Sequence, residues 1–150
     1  MTEATKQELD AMTVADRLRP TLLRLGRELR QERIAGVSPH QVGLLIAIKY
    51  APGVTVGQLA AEERVSTAAM SKRVSRLERN GLVARTPSEA DRRCVGLTLT
   101  EEGQRTLRRV RSRRTAWLAS RLGALAPAEL AAVGAAAEPL AHLVGREARA

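Results

Sequence analysis

Phenylalanine is absent from this chain, tryptophan and tyrosine occur once each, and Cys94 is the single cysteine. One thiol excludes an internal disulfide. Together with only two histidines, His40 and His142, it also excludes the thiolate and imidazole clusters that hold metal ions, so no metal ligands and no cofactor are expected. The scarcity of aromatics leaves Leu, Val, Ile and Ala to build the core, a set that helices pack well. It also argues against single-strand binding by base stacking. No run approaches the ~18 apolar residues that a membrane span needs, and no apolar signal segment opens the chain. A cytoplasmic protein without membrane association is therefore expected. Neither a nucleophile–base–acid grouping nor a glycine-rich phosphate loop is present, so no catalytic residue is assigned and an enzyme is not expected.

Lysine is scarce as well. Lys6, Lys49 and Lys72 are the only ones, so arginine supplies nearly all of the 25 basic residues that outnumber 16 acids. A formal charge of +9 on 150 residues points to a polyanionic partner, and arginine suits forked contacts with phosphate and guanine. The same excess of arginine and alanine would follow from a GC-rich genome, so charge alone does not identify the partner.

The length suits one domain with its own core. Apolar residues at Val14, Leu18, Leu22, Leu25 and Leu29 predict a long helix, interrupted by Pro20 and ended by Gly36. Ser38-Pro39-His40-Gln41 is a helix start with an N-cap, a proline at the first position and a capping-box glutamine. Thr55-Val56-Gly57-Gln58 repeats the pattern for a short helix through about Glu63. Ser66 caps the next, which runs to Asn80 and closes at Gly81.

The apolar period then changes from helical to alternating. Val83-Ala84-Arg85 pairs with Cys94 to Leu99 as a hairpin, with Val95, Leu97 and Leu99 on one face and Pro87 to Arg93 as its loop. Thr100 caps a long helix whose stripe is Leu107, Val110, Trp117, Leu118 and Leu122. Pro127 opens a last helix with Leu130, Val133, Ala137, Leu140 and Val144 in register.

On the Ser66–Asn80 helix, Met70, Val74 and Leu77 share one side. Ala68, Lys72, Ser75 and Arg79 take the other, flanked by Thr67, Ser71 and Arg76. Small side chains let a backbone approach the floor of a DNA major groove, while Lys and Arg reach base edges or phosphates. An isolated basic helix is more often a solvated face; a capped helix before it and a hairpin after it favour recognition. A basic tip such as Asp91-Arg92-Arg93 can enter an adjacent minor groove, where narrow A·T stretches attract arginine. Asp91 either holds Arg93 extended by a charge-assisted bond or serves as a turn residue.

The fold expected is mainly α with a small β-hairpin wing: a winged helix-turn-helix lobe over 38–100, with a helical dimerisation region at 13–36 and 101–148. Leu59-Ala60, Ser71-Lys72, Arg76-Leu77-Glu78, Gly81-Leu82-Val83, Asp91-Arg92-Arg93, Leu97-Thr98 and Thr100-Glu101-Glu102-Gly103 together resemble the MarR family of transcription factors over roughly residues 14–145. The resemblance implies an obligate homodimer with intertwined terminal helices and two recognition helices on a pseudopalindromic double-stranded site. By the family pattern Arg92 and Arg93 are wing contacts, and Ser71, Lys72 and Arg76 recognition-helix contacts. The full candidate surface is Ser66, Thr67, Ala68, Ser71, Lys72, Ser75, Arg76, Asp91, Arg92 and Arg93.

The resemblance also implies a repressor released by a small effector, often an aromatic acid or phenol, bound between the dimer helices and the DNA-binding lobe. Nothing in the sequence identifies that ligand. Tyr50, His40 and Arg17 are candidates for such a crevice, each better explained by a structural role. Some relatives sense peroxide through a cysteine in the first helix; here Cys94 lies on the wing strand and is expected as a small filler. Arg105, Arg108, Arg109, Arg111, Arg113 and Arg114 are expected as a largely solvated face with one or two phosphate contacts. A weakly specific nucleoid-type DNA binder and a winged-helix interaction adaptor are the competing readings. Both would keep the fold; the first would lack sequence discrimination.

Overall fold

Side-chain hydroxyls set the beginnings of the central helices. In the computed structural model, which describes residues 10–32, 34, 36–87 and 93–145, Ser38 Oγ accepts the Gln41 N–H at 3.2 Å and Gln41 Oε1 accepts the Ser38 N–H at 2.8 Å. This reciprocal cap satisfies two otherwise orphaned donors and opens α2 (Pro39–Tyr50). Thr55 and Gln58 repeat it at 3.1 and 2.8 Å to open α3 (Val56–Glu62). Ser66 Oγ accepts the Ala69 N–H at 3.1 Å and starts α4 (Thr67–Arg79). Before these lies α1 (Ala11–Gln31); after the hairpin come α5 (Glu101–Leu122) and α6 (Pro127–Leu143). Pro20 sits inside α1 without ending it, and Pro139 likewise lies inside α6.

The turn between α3 and α4 is tighter than its residues suggest. Arg64 takes a left-handed backbone, φ 55°, and the Val65 N–H returns to the Ala60 carbonyl at 3.0 Å. Glycine is the usual occupant of such a helix stop, so nothing in the residue type announces it. At the end of α4 the expected glycine does appear: Gly81 has φ +71°, and the Leu82 N–H reaches the Leu77 carbonyl at 3.0 Å.

Strands β1 (Val83–Pro87) and β2 (Val95–Leu99) pair antiparallel, with Val83 opposite Leu99 and Pro87 opposite Val95. The ribbon is tied to the segment after α2, where the Gly53 N–H donates to Leu97 O and the Leu97 N–H to Val54 O, both at 2.8 Å. A side chain at Gly96 would place its Cβ 2.6 Å from the Gly53 carbonyl oxygen, so this close pass needs glycine. The first strand runs past the expected Arg85 to Pro87, the residue expected to start the loop. Leu97 is fully buried as expected, but Val95 is 46% exposed because the outer end of the ribbon has left the cover of the helices. Cys94 is exposed just before β2 and does not act as an interior filler.

Leu44, Leu45, Ile48, Leu59, Met70, Val74, Leu77 and Leu97 form the fully buried core, drawn from α2, α3, α4 and the ribbon. The start of α5 is clamped to this unit by Thr100. Its hydroxyl donates to Gly81 O at 2.6 Å and accepts the Gly103 N–H at 3.0 Å, while its own N–H reaches Leu82 O at 3.1 Å. By contrast α1 and α6 contain no buried residue, and Leu22, Leu23, Leu130 and Val133 are exposed. An Arg113–Glu32 ion pair at 3.5 Å links α5 to the end of α1. No helix among the described residues is long and apolar enough to cross a membrane.

Candidate nucleic-acid interface and the crevice behind it

The recognition candidate is α4, and its two sides separate as its periodicity predicts. Met70, Val74 and Leu77 are buried against α2 and α3, which leaves Thr67, Ala68, Lys72, Arg76 and Arg79 exposed. Ser71 and Ser75 are half-buried at the edge of the helix, so they lie lower on this surface than the helical wheel alone would put them. Ser66 is exposed, but its Oγ is engaged in capping. A shallow groove runs between α4 and the start of α2, lined by Ser38, His40, Gln41, Ala68, Ser71, Lys72 and Arg76.

Glu63, at the end of α3, braces this face. Its Oε2 lies 3.0 Å from Arg73 Nη1 and 3.7 Å from His40 Nε2, so one carboxylate joins α2, the α3–α4 turn and α4. Farther along α4, Glu78 Oε1 accepts the Arg85 Nε–H at 2.9 Å across to β1. Neither pair is visible as a local pattern, because the partners are ten and seven residues apart on different elements. In the wing, Arg93 is exposed. Asp91 and Arg92 lie outside the described residues.

Behind this surface, a crevice of about 740 Å³ opens between α2, β2 and α5. Ile46, Ile48, Leu99, Leu107 and Val110 supply apolar wall, and Lys49, Arg108, Arg111 and Arg114 bring positive charge to it, with no acidic side chain in the lining among the described residues. The arginine run on α5 thus divides. Arg105 pairs with Glu101 and Glu102 at 3.1 and 2.9 Å, Arg109 with Glu102 at 2.7 Å, and Arg113 with Glu32. Arg108, Arg111 and Arg114, spaced by three, turn instead towards the crevice. Five of the six arginines are exposed and Arg114 is half-buried, in keeping with a largely solvated face; the spacing by three marks the ones that line the crevice.

Arg114 Nε is buried and meets no acceptor among the described residues. Burial, and secondarily the charge of Arg30, hold its pKa below the ordinary guanidinium value. Of the residues expected at such a crevice, only Tyr50 lines it. His40 lies in the groove beside α4, and Arg17 is exposed on α1 away from the lining.

Comparison with known proteins agrees with this geometry. The MarR family model matches residues 35–93. A transcriptional regulator of the helix-turn-helix type from Mycobacterium tuberculosis is 32% identical over 136 residues, covering 90% of this chain and 94% of its own length. The crystal structure of a transcriptional regulator from Pseudomonas aeruginosa superposes with a TM-score of 0.70 at 32% identity, covering 91% of this chain and 96% of that one. Streptococcus pneumoniae FabT, solved in complex with DNA, superposes at 0.52 with 26% identity, covering 89% and 93%. The fold, the helix-turn-helix and the hairpin therefore carry one identification: the chain belongs to the MarR family of winged-helix, DNA-binding transcriptional regulators and is not an enzyme.

Proposed function

We propose that the chain is a homodimeric repressor that reads a pseudopalindromic operator and is released by a small apolar anion. The observation that carries the dimer is the absence of any buried residue in α1 and α6, although both repeat apolar residues at helical spacing. A second copy covering those faces gives them the hydrophobic partner that an obligate interface supplies. In this reading residues 13–36 and 101–148 hold the two copies together, and 38–100 form the DNA-binding lobe. Two-fold symmetry then sets two α4 helices on successive major grooves, as operator symmetry mirrors protein symmetry in other helix-turn-helix dimers. Thr67, Ala68, Ser71, Lys72, Ser75 and Arg76 face the groove around the Ser66 cap, with Asp91, Arg92 and Arg93 in the wing beside it.

Sedimentation of the purified chain is expected to give the mass of two copies, and mobility shifts on a duplex selected from a random-sequence pool should show strong preference over bulk DNA. A folded monomer would overturn the dimer, and equal affinity for every duplex would favour a nucleoid-type binder.

The effector reading rests on the crevice. Its apolar wall suits a ring, and the Nε of Arg114 offers a buried donor for an acid group. Benzoate or salicylate is expected to raise the melting temperature and weaken operator binding. A ligand at 100 times its Kd stabilises a protein by about 2.7 kcal/mol. Arg114→Ala should remove most of that shift while leaving operator affinity unchanged without ligand. A full shift in Arg114→Ala would place the acid elsewhere.

A further inference from the structure

We infer that Glu78 and Arg85 form a strut that sets the angle between the recognition helix and the wing, so that an acid on the DNA-binding surface strengthens operator binding. Glu78 is out of place on simple electrostatic grounds. It stands on the last turn of α4, beside Arg76 and Arg79, where a carboxylate would repel phosphates. Its side chain is not turned outward into solvent, however. Only 29% of it is exposed, and Oε1 receives the Arg85 Nε–H at 2.9 Å.

Arg85 lies two residues beyond buried Val83, on the same side of β1, and opposite buried Leu97. Its side chain therefore leaves the inner side of the ribbon and crosses to α4. The corner between the two elements is already held by backbone bonds. The Gly81 N–H donates to Glu78 O at 2.8 Å, and the Leu82 N–H donates to Leu77 O at 3.0 Å. Those bonds fix the root of the ribbon, and the Gly53 and Val54 bonds hold β2 at Leu97, opposite Arg85; beyond the root, no backbone bond among the described residues ties β1 itself to α4. Thr86 and Pro87, the next residues outward, are exposed. The ion pair is thus the outermost α4–β1 tie that the described residues show.

An ion pair this exposed adds little to the stability of the fold. Its consequence lies in placement. A ribbon that swings must be ordered when the wing meets DNA, and that ordering weakens binding; a ribbon already held avoids it. The inference rests on the reading of α4 and the wing as the DNA-binding surface. Glu78 and Arg85 are positioning residues in it, acting through the wing rather than on a base.

The test uses the duplex that the wild-type chain selects from a random-sequence pool, and a shortened version lacking the flanking base pairs that the wing reaches. Glu78→Ala is expected to weaken binding to the full duplex about tenfold, with melting temperature and sedimentation unchanged. Removing a negative charge would otherwise strengthen binding, so the sign of the change separates the two accounts. Arg85→Ala should give the same loss, and on the shortened duplex both variants should match wild type. The exchanged pair, Glu78→Arg with Arg85→Glu, should recover most of the affinity. Tighter or equal binding by Glu78→Ala overturns the strut, as does failure of the exchanged pair. Weaker binding by Arg85→Ala alone would mean that Arg85 touches the phosphate backbone directly, which also overturns it. A wild-type chain that selects no duplex would instead refute the DNA-binding surface itself.

Discussion

Gly103→Ala is expected to destabilise the protein by about 3 kcal/mol or more, although in most helices the same exchange stabilises. Gly103 is buried in the first turn of α5, where an added Cβ would overlap the carbonyl oxygen of Leu82. That oxygen is held in place, since it accepts the Thr100 N–H at 3.1 Å, and Thr100 Oγ1 is bonded to the neighbouring Gly81 carbonyl. A flexible side chain could move aside; this backbone cannot move without undoing the clamp between α5 and the end of α4. Overpacking a well-filled site costs about 1–3 kcal/mol and more where backbone must shift. For a chain of this size each kcal/mol lowers Tm by roughly 2–4 °C, so thermal denaturation should show a fall of about 6–12 °C.

Gly43→Ala supplies the contrast. Gly43 is exposed within α2, and a Cβ added there would meet nothing within 4 Å. Alanine at this position restricts the unfolded chain and favours the helix, and should raise stability by about 0.5–1 kcal/mol. Equal effects at the two positions would disprove the close pass at Leu82.

The second large effect is expected on DNA binding, at Arg76 and Lys72. Both are exposed on α4, so replacing either by alanine should change stability by no more than about 0.5 kcal/mol. A bidentate contact to a base discriminates by about 1–3 kcal/mol. In the proposed dimer each substitution removes two such contacts, for a total of about 2–6 kcal/mol. At 1.4 kcal/mol per factor of ten, Arg76→Ala should weaken binding roughly 30-fold to 10⁴-fold. It should also relax the base preference at one position in each half-site.

Lys72→Ala gives a different signature if its ammonium meets phosphate. Affinity then falls similarly on every sequence, and the salt dependence becomes shallower by ~0.9 per contact, or about 1.8 for the pair. Titrations at several salt concentrations against matched and mismatched duplexes separate the two roles. Full affinity in both variants would remove α4 from the interface.

Much of the fold can be read locally. Ser38 with Gln41 and Thr55 with Gln58 declare helix starts within four residues, and their bonds form as the spacing implies. The stripe Met70, Val74 and Leu77 identifies the inner side of α4, and thereby the outer side that carries Lys72 and Arg76. Alternation around Leu97 marks the ribbon. Such signals survive because caps, helical periods and strand alternation act over a few residues and do not depend on what lies across the core. The resemblance carried by Asp91-Arg92-Arg93 and the residues after it did the rest, although the placement of Asp91 and Arg92 lies outside the described residues.

Other features have no local sign. Arg64 adopts a glycine-like backbone where the Val65 N–H turns back to the Ala60 carbonyl, and an arginine does not advertise that. The arginines of α5 look alike in sequence. Glutamates at Glu32, Glu101 and Glu102 engage three of them, and the turn of the helix delivers Arg108, Arg111 and Arg114 to the crevice.

By itself the sequence determined the order of the helices, the caps of α2, α3 and α4, the exposed face of α4 and the family. Only the tertiary structure decided which glycine must stay a glycine, which arginines are paired, and that Glu78 faces Arg85. The reason is physical: spacing along a chain selects a face of an element, whereas the group opposite that face is chosen by folding.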